Sequence, residues 1–203
     1  MPPFDGSHYV LKRQLLKFIG RGFGIYDPAG NQILQADETP LQWREELRLY
    51  GGLGMRQELI GIFARSYVNF AATYDIVDMT NGHKIGAFGR RWLHSMVRDE
   101  WTFLDHMDRQ IGVVIEDSLG LALLRRTVAI LVPQNYDLVV GNQKVVDFRQ
   151  NFNPFTYHLN INFLTPPAHF DRRLGIAAAV LLGTIEGRQE ERHQILNPLN
   201  DMF

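Results

Sequence analysis

The stretch DRRLGIAAAVLLGTIEGRQEE (171–191) decides the fold, because it is the most hydrophobic run in the chain and charge brackets it at both ends. Between Arg173 and Glu186 the uncharged run, Leu174 to Ile185, is twelve residues long. As a helix it measures about 18 Å, at about 1.5 Å per residue. A bilayer core of about 30 Å needs about 20 apolar residues. The run is too short to span a membrane. It is apolar on every side, without a polar stripe, so it predicts a helix enclosed by protein. Gly175, Ala177, Ala178, Ala179 and Gly183 keep that helix slim, which suits a tight enclosure by strands.

The rest of the chain supplies the enclosure. One pattern recurs four times: an aromatic residue, an apolar residue two positions on, then Asp or a turn residue. It reads Phe23, Ile25, Asp27 in FGIYDPAGNQIL; Tyr74, Ile76, Asp78 in YDIVDMTNGHKIG; and Trp101, Phe103, Asp105 in WTFLDHMDRQIG. In YDLVVGNQKVV it reads Tyr136 and Leu138, followed by Gly141-Asn142. Alternating apolar positions mark half-buried strands, and Gly30, Asn81-Gly82 and Gly141-Asn142 supply tight turns. After each turn an apolar residue returns: Ile33, Ile85, Ile111 and Val145. These are β-hairpins. Asp27, Asp78 and Asp105 each close a strand, where a carboxylate bonds backbone N–H groups of the turn.

Two copies match further upstream. AFGRRWLHSMVRDEWTFL (87–104) aligns without gaps on ALLRRTVAILVPQNYDLV (122–139), placing Arg90-Arg91 on Arg125-Arg126 and Trp101 on Tyr136. The simplest explanation is an internal duplication of a strand–connection–hairpin unit. In FTYHLNINF, Phe155, Tyr157, Leu159, Ile161 and Phe163 share one face while Thr156, His158, Asn160 and Asn162 share the other, which predicts an antiparallel strand with one wet face. Segments 9–19 and 57–65 also read as strands. Thr39, Pro40 and Gln42 carry helix-start signals, yet Trp43, Glu45, Leu47 and Leu49 fit a strand from about Arg44 that pairs with 57–65. Leu121, Leu124, Val128 and Leu131 predict a short helix over 118–131. Ten to twelve antiparallel strands plus one all-round apolar helix give a mainly β fold: a closed barrel filled by the helix. Closure removes the sheet edges. The whole chain, 1–203, reads as a single domain, with an enclosed helix at 171–191 and a tail at 192–203 whose Ile195, Leu196, Leu199 and Phe203 suit docking on the barrel.

Composition narrows the chemistry. The apolar share of 45% and charged share of 21% are those of an ordinary globular protein. A net charge of −1 removes whole-molecule attraction to nucleic acid or anionic lipid, so nucleic acid is not an expected partner and any anion site must be a local basic patch. There is no cysteine, which excludes disulfides, thiolate chemistry and cysteine acylation. MPPFDGSHYVLKRQ has no basic-then-apolar pattern of a secretory signal, and Pro2 stands where myristoylation needs glycine; a cytoplasmic protein is expected.

No catalytic constellation is legible. The histidines His8, His83, His94, His106, His158, His169 and His193 show no metal-ligand spacing, so neither a metal nor another cofactor is expected. GRGFG (20–24) lacks the Lys-Ser/Thr ending of a phosphate loop and leads into a strand. The carboxylates of RDEW (98–101) and IED (115–117) could do acid–base work, but Asp99-Glu100 aligns with Gln134-Asn135 in the duplicate, which favours plain solvated charges. The basic residues Lys84, Arg90, Arg91, Arg125 and Arg126 fall in equivalent or neighbouring parts of the duplicated units and form the candidate anion-binding patch. Consecutive strand residues face opposite ways, so at most one of each pair can face a given surface. Arg172 and Arg173 stand at the start of the enclosed helix, where a cation opposes the helix dipole, so they are expected to cap the barrel rim or pair with acids.

The segments LRLYGG, QELIGIFARSYVNFAATYDIVDMTNGHKIGAFGRRWLHSMVRDEWTFLD, EDSLGLALLRR, NFNPFTYHLNINF and DRRLGIAAAVLLGTIEGRQ, across about 9–191, resemble the LURP-one-related proteins, within the wider group of tubby C-terminal-like and phospholipid-scramblase domains. The resemblance implies a twelve-stranded antiparallel barrel around a hydrophobic C-terminal helix. It also implies a binding module for anionic phospholipid headgroups at the cytoplasmic membrane face, peripheral rather than membrane-spanning. The alternative is a structural or protein-interaction scaffold. The chain departs from scramblases in lacking the cysteine-rich acylation segment, the Pro-rich arm and an acidic calcium loop.

Overall fold

A computed structural model describes residues 3–16, 20–39, 46–65, 73–91, 100–116, 135–151 and 157–196. Twelve strands follow one another in the chain: β1 (His8–Leu16), β2 (Gly20–Tyr26), β3 (Gln32–Thr39), β4 (Glu46–Gly51), β5 (Gln57–Ala64) and β6 (Thr73–Asp78), then β7 (His83–Arg91), β8 (Glu100–Asp105), β9 (Gln110–Glu116), β10 (Asn135–Val140), β11 (Gln143–Gln150) and β12 (His158–Phe163). Each pairs antiparallel with its sequence neighbours, and β1 pairs with β12, so the sheet closes into a barrel. The closing ladder sets Tyr9 opposite Ile161 and Leu11 opposite Leu159. One helix, α1 (Arg172–Leu196), follows β12.

The expected barrel and its filling helix are both present. Every residue from Leu174 to Leu182 that carries an apolar side chain is at most 4% exposed. Nine consecutive helical positions sweep all directions around the axis, so protein surrounds this part of α1. Inward strand positions such as Leu11, Ile25, Leu49, Ile62, Phe88 and Phe148 meet it in one continuous core. The slim residues matter where the wall is closest. A Cβ on Gly175 would lie 2.6 Å from the Phe163 ring, and one on Gly183 would lie 3.0 Å from the Phe23 ring.

The helix runs to Leu196, five residues beyond the boundary at 191 that the sequence reading sets. Residues 186–196 are dominated by Glu, Gln and Arg, good helix formers, and the helix ends just before Asn197, the residue that precedes Pro198. The expected tail therefore shortens to residues outside the described set. Strand β4 begins at Glu46 and pairs with β5 through Leu47↔Ile62 and Leu49↔Ile60, as the strand reading requires. The helix signals at 40–45, the short helix expected at 118–131 and the upstream half of the second duplicated unit lie outside the described residues.

The hairpin turns have a common construction. Asp27 accepts from Asn31 N at 2.8 Å, Asp78 from Thr80 N at 2.9 Å, and Asp105 from Met107 N at 2.8 Å and Arg109 N at 3.0 Å. Gly30 and Gly82 take positive φ in the first two of these turns, and Gly141 does so in the β10–β11 turn. Each ladder then slips by one residue: Ile25 pairs with Leu34 but Tyr26 with Gln32, and Ile76 with Gly86 but Val77 with Lys84. The residues skipped are Ile33, Ile85, Ile111, Val145 and, in the β4–β5 hairpin, Leu59. The returning apolar residue of the sequence pattern is thus the bulge residue, and all five pack on the core. A bulge bends and twists its strand, and five bulges at one level give the wall its curvature.

Candidate binding surface

Since α1 fills the lumen, the polar residues available to a ligand stand on the outer wall and the rims. The first of them, Lys84, follows the Asn81-Gly82 turn on β7. Its ammonium sits 3.0 Å from Asp75 and 2.5 Å from Asp108. Arg65 grips the same two carboxylates, reaching Asp75 at 2.6 Å and also Asp108. Asp108 is delivered by a left-handed backbone at φ 64° in the β8–β9 turn. Burial tends to raise Asp75, but hydrogen bonds and charge from Arg65 and Lys84 outweigh it and hold the carboxyl below its ordinary value. The same two cations lower Asp108. Two cations face two anions, so the cluster is formally neutral and Lys84 is already matched.

Arg90 and Arg91 lie at the opposite end of β7, in register with Trp101 and Glu100 respectively. Six residues of strand separate Lys84 from Arg90, about 20 Å at about 3.3 Å per residue. The five candidate cations therefore do not form one patch: Lys84 belongs to the rim where the hairpin turns gather, and the arginine pair to the other end. Arg125 and Arg126 lie outside the described residues, as do Asp99 and Asp117.

A second charge cluster escapes the sequence reading. Asp137 on β10 stands directly opposite Asp147 on β11. Lys144 bridges them at 2.7 and 2.6 Å, and Arg149 reaches them at 3.3 and 2.6 Å. Two like charges face to face across a ladder repel, and the flanking cations offset that repulsion. Burial opposes the ionisation of Asp147, yet Lys144 and Arg149 draw its carboxyl below the ordinary range, and the two aspartates hold Lys144 charged. Alternation in YDLVV and KVVDFRQ places both aspartates outward; their cross-strand pairing needed the register.

Arg172 and Arg173 act at the rim, as expected. Arg172 is 6% exposed, donates to the carbonyl oxygens of Thr165 (3.3 Å) and Gly6, and lies 4.8 Å over the Phe163 ring. Asp171 caps the helix by accepting from Arg173 N at 3.0 Å, and Arg173 joins Asp171 to Asp78, each at 2.6 Å. His83 is exposed at the first position of β7 rather than within the turn, and His106 is exposed in the β8–β9 turn. Among the described residues no three His, Asp or Glu side chains converge on one point, and no helix is long and apolar enough to cross a membrane.

No protein-family model, curated protein or solved structure matches this chain.

Proposed function

We propose that this chain is a binding module that takes its ligand on the outside of the barrel, and that the ligand is an anionic phospholipid headgroup at the cytoplasmic face of a membrane. The filled lumen carries the first half of this reading: a ligand has no place where Leu174 to Leu182 already meet the wall. The second half is supported by the resemblance to LURP-one-related and tubby-like domains. Each cation near an anionic bilayer is worth about 1 kcal/mol. Co-sedimentation with vesicles tests the reading. The chain is expected to pellet with phosphatidylserine- or phosphoinositide-containing vesicles at low salt, to release at high salt, and to ignore phosphatidylcholine alone. Replacing Arg90 and Arg125 together by Ala reads whether the duplicated pairs touch the lipid: contact there costs partitioning roughly thirtyfold, from about 1 kcal/mol per charge, and contact elsewhere on the barrel leaves it unchanged.

The matched cations favour a second reading. Lys84, Lys144 and Arg173 already have acidic partners, which suits a protein-interaction scaffold. Failure to bind any vesicle composition, with a stable complex recovered from cells, would decide for it.

A further inference from the structure

The described residues hold four exposed large hydrophobic side chains: Leu53, Met107, Ile115 and Leu164. Three of them gather at one end of the barrel. The turns β2–β3, β4–β5, β6–β7, β8–β9 and β10–β11 and the joint where β12 ends and β1 begins are six stations around one rim. Leu53, fully exposed, occupies the β4–β5 station, and Met107, 64% exposed, the β8–β9 station. Leu164, 54% exposed, leads the exposed Pro166-Pro167-Ala168 at the β12 station. The stations between them carry the Asp27–Asn31, Asn81-Gly82 and Gly141-Asn142 turns, with no large apolar side chain exposed. Apolar contacts therefore stand at every second station. Four strand spacings of about 4.8 Å separate each from the next, about 19 Å of wall.

We infer that this rim is a docking face for a phospholipid bilayer. Three separate points spaced evenly around a mouth define a plane and enclose no groove. A protein partner needs a contiguous apolar core to its interface, whereas a bilayer accepts isolated tips at its headgroup–acyl boundary. Arg56 follows Leu53 by three residues and is exposed; Arg109 follows Met107 by two and is 70% exposed, its guanidinium paired with Asp105 at 2.7 Å. An apolar tip with a guanidinium just behind it suits a chain that buries the tip and leaves the cation among phosphates. The inference rests on the lipid reading above and assigns it an orientation: the barrel axis stands on the membrane with the start of α1 facing it and the Arg90-Arg91 end of β7 facing away, so Arg90→Ala is expected to leave sedimentation unchanged.

The absence of cysteine makes the test direct. Leu53→Cys, Met107→Cys and Ile115→Cys, each labelled with an environment-sensitive nitrobenzoxadiazole dye, are mixed with phosphatidylcholine vesicles with and without phosphatidylserine. All three side chains are exposed, so each labelled protein is expected to melt like the parent. Blue-shifted emission is expected from positions 53 and 107 on the anionic vesicles, and none from position 115 on the distal wall. Leu53→Ser with Met107→Ser is expected to weaken sedimentation about tenfold. If the parent chain sediments while 53 and 107 keep their emission, the rim assignment falls and the lipid reading stands. If the parent chain sediments with neither composition, both fall.

Discussion

Asp78 does more than the aspartates at the equivalent turns. Like Asp27 and Asp105 it accepts from the turn backbone, but it also takes Arg173 Nη1 at 2.6 Å, tying the β6–β7 hairpin to the first turn of α1. Asp78→Asn keeps an oxygen for Thr80 and removes the charge that faces Arg173. It is expected to cost about 1–2 kcal/mol in urea unfolding, and a double-mutant cycle with Arg173→Gln to show coupling of about 0.5 kcal/mol or more. Titration adds a second expectation. Burial and the charge of Lys12 push His158 below its ordinary value of 6.5. The unfolded chain thus takes up that proton first, and the contribution is intact above about 6.5 and lost as pH falls through the folded value. Asp75, Asp78 and Asp147 are held below the ordinary 3.8, so their contribution persists above that value and is lost on further acidification. Melting temperature against pH is expected to be level above pH 7 and to fall in two stages; His158→Gln is expected to abolish the first alone. The turn role of these aspartates was legible from sequence, because it is local. The pairing of Asp78 with Arg173, 95 residues apart, was not.

At the scale of the element, the bulges and the helix glycines control fit. Local periodicity predicted the hairpins, but a period of two cannot show that Ile33, Ile85 and Ile111 are extra residues rather than ladder partners. That distinction lives in the register. The glycines of α1 follow the same logic. Alanine improves helix propensity by about 1 kcal/mol over glycine. At Gly175 the new methyl would meet the Phe163 ring at 2.6 Å, and that ring is fixed edge-on to Tyr9 and under Arg172. Overpacking of this kind costs about 1–3 kcal/mol, so Gly175→Ala is expected to destabilise by about 1 kcal/mol or more. Gly183→Ala, with nearest contacts of 3.0–3.2 Å, is expected to be close to neutral. Thermal melts of the two variants side by side check the difference.

For the whole molecule, the sequence disclosed the architecture through two features of different range. The helix was too short for a membrane and too apolar for a surface, and the hairpins supplied the only enclosure consistent with both. The candidate site was far less legible. Lys84 and Arg90 look adjacent in sequence and sit about 20 Å apart along one strand, and the Asp137–Asp147 cluster depends on a cross-strand meeting that periodicity cannot reveal. The plug reading makes its own demand: Ala178 is fully buried, and Ala178→Asp would set an unpaired carboxylate among apolar groups at a cost of several kcal/mol. The variant is expected to fail to fold, as seen by loss of a cooperative melt. The β1–β12 seam has a further consequence, which concerns time. His8 meets Asn162, 154 residues on, so the ribosome must make that whole span before the first strand can find its last neighbour, and the segment that fills the interior emerges later still. At about 5–20 residues per second, the inward faces of β1 and β2 wait for seconds without a partner on one side. Closure of the barrel is therefore expected to be governed by its most distant contact, with the inward faces of the early strands exposed until it forms.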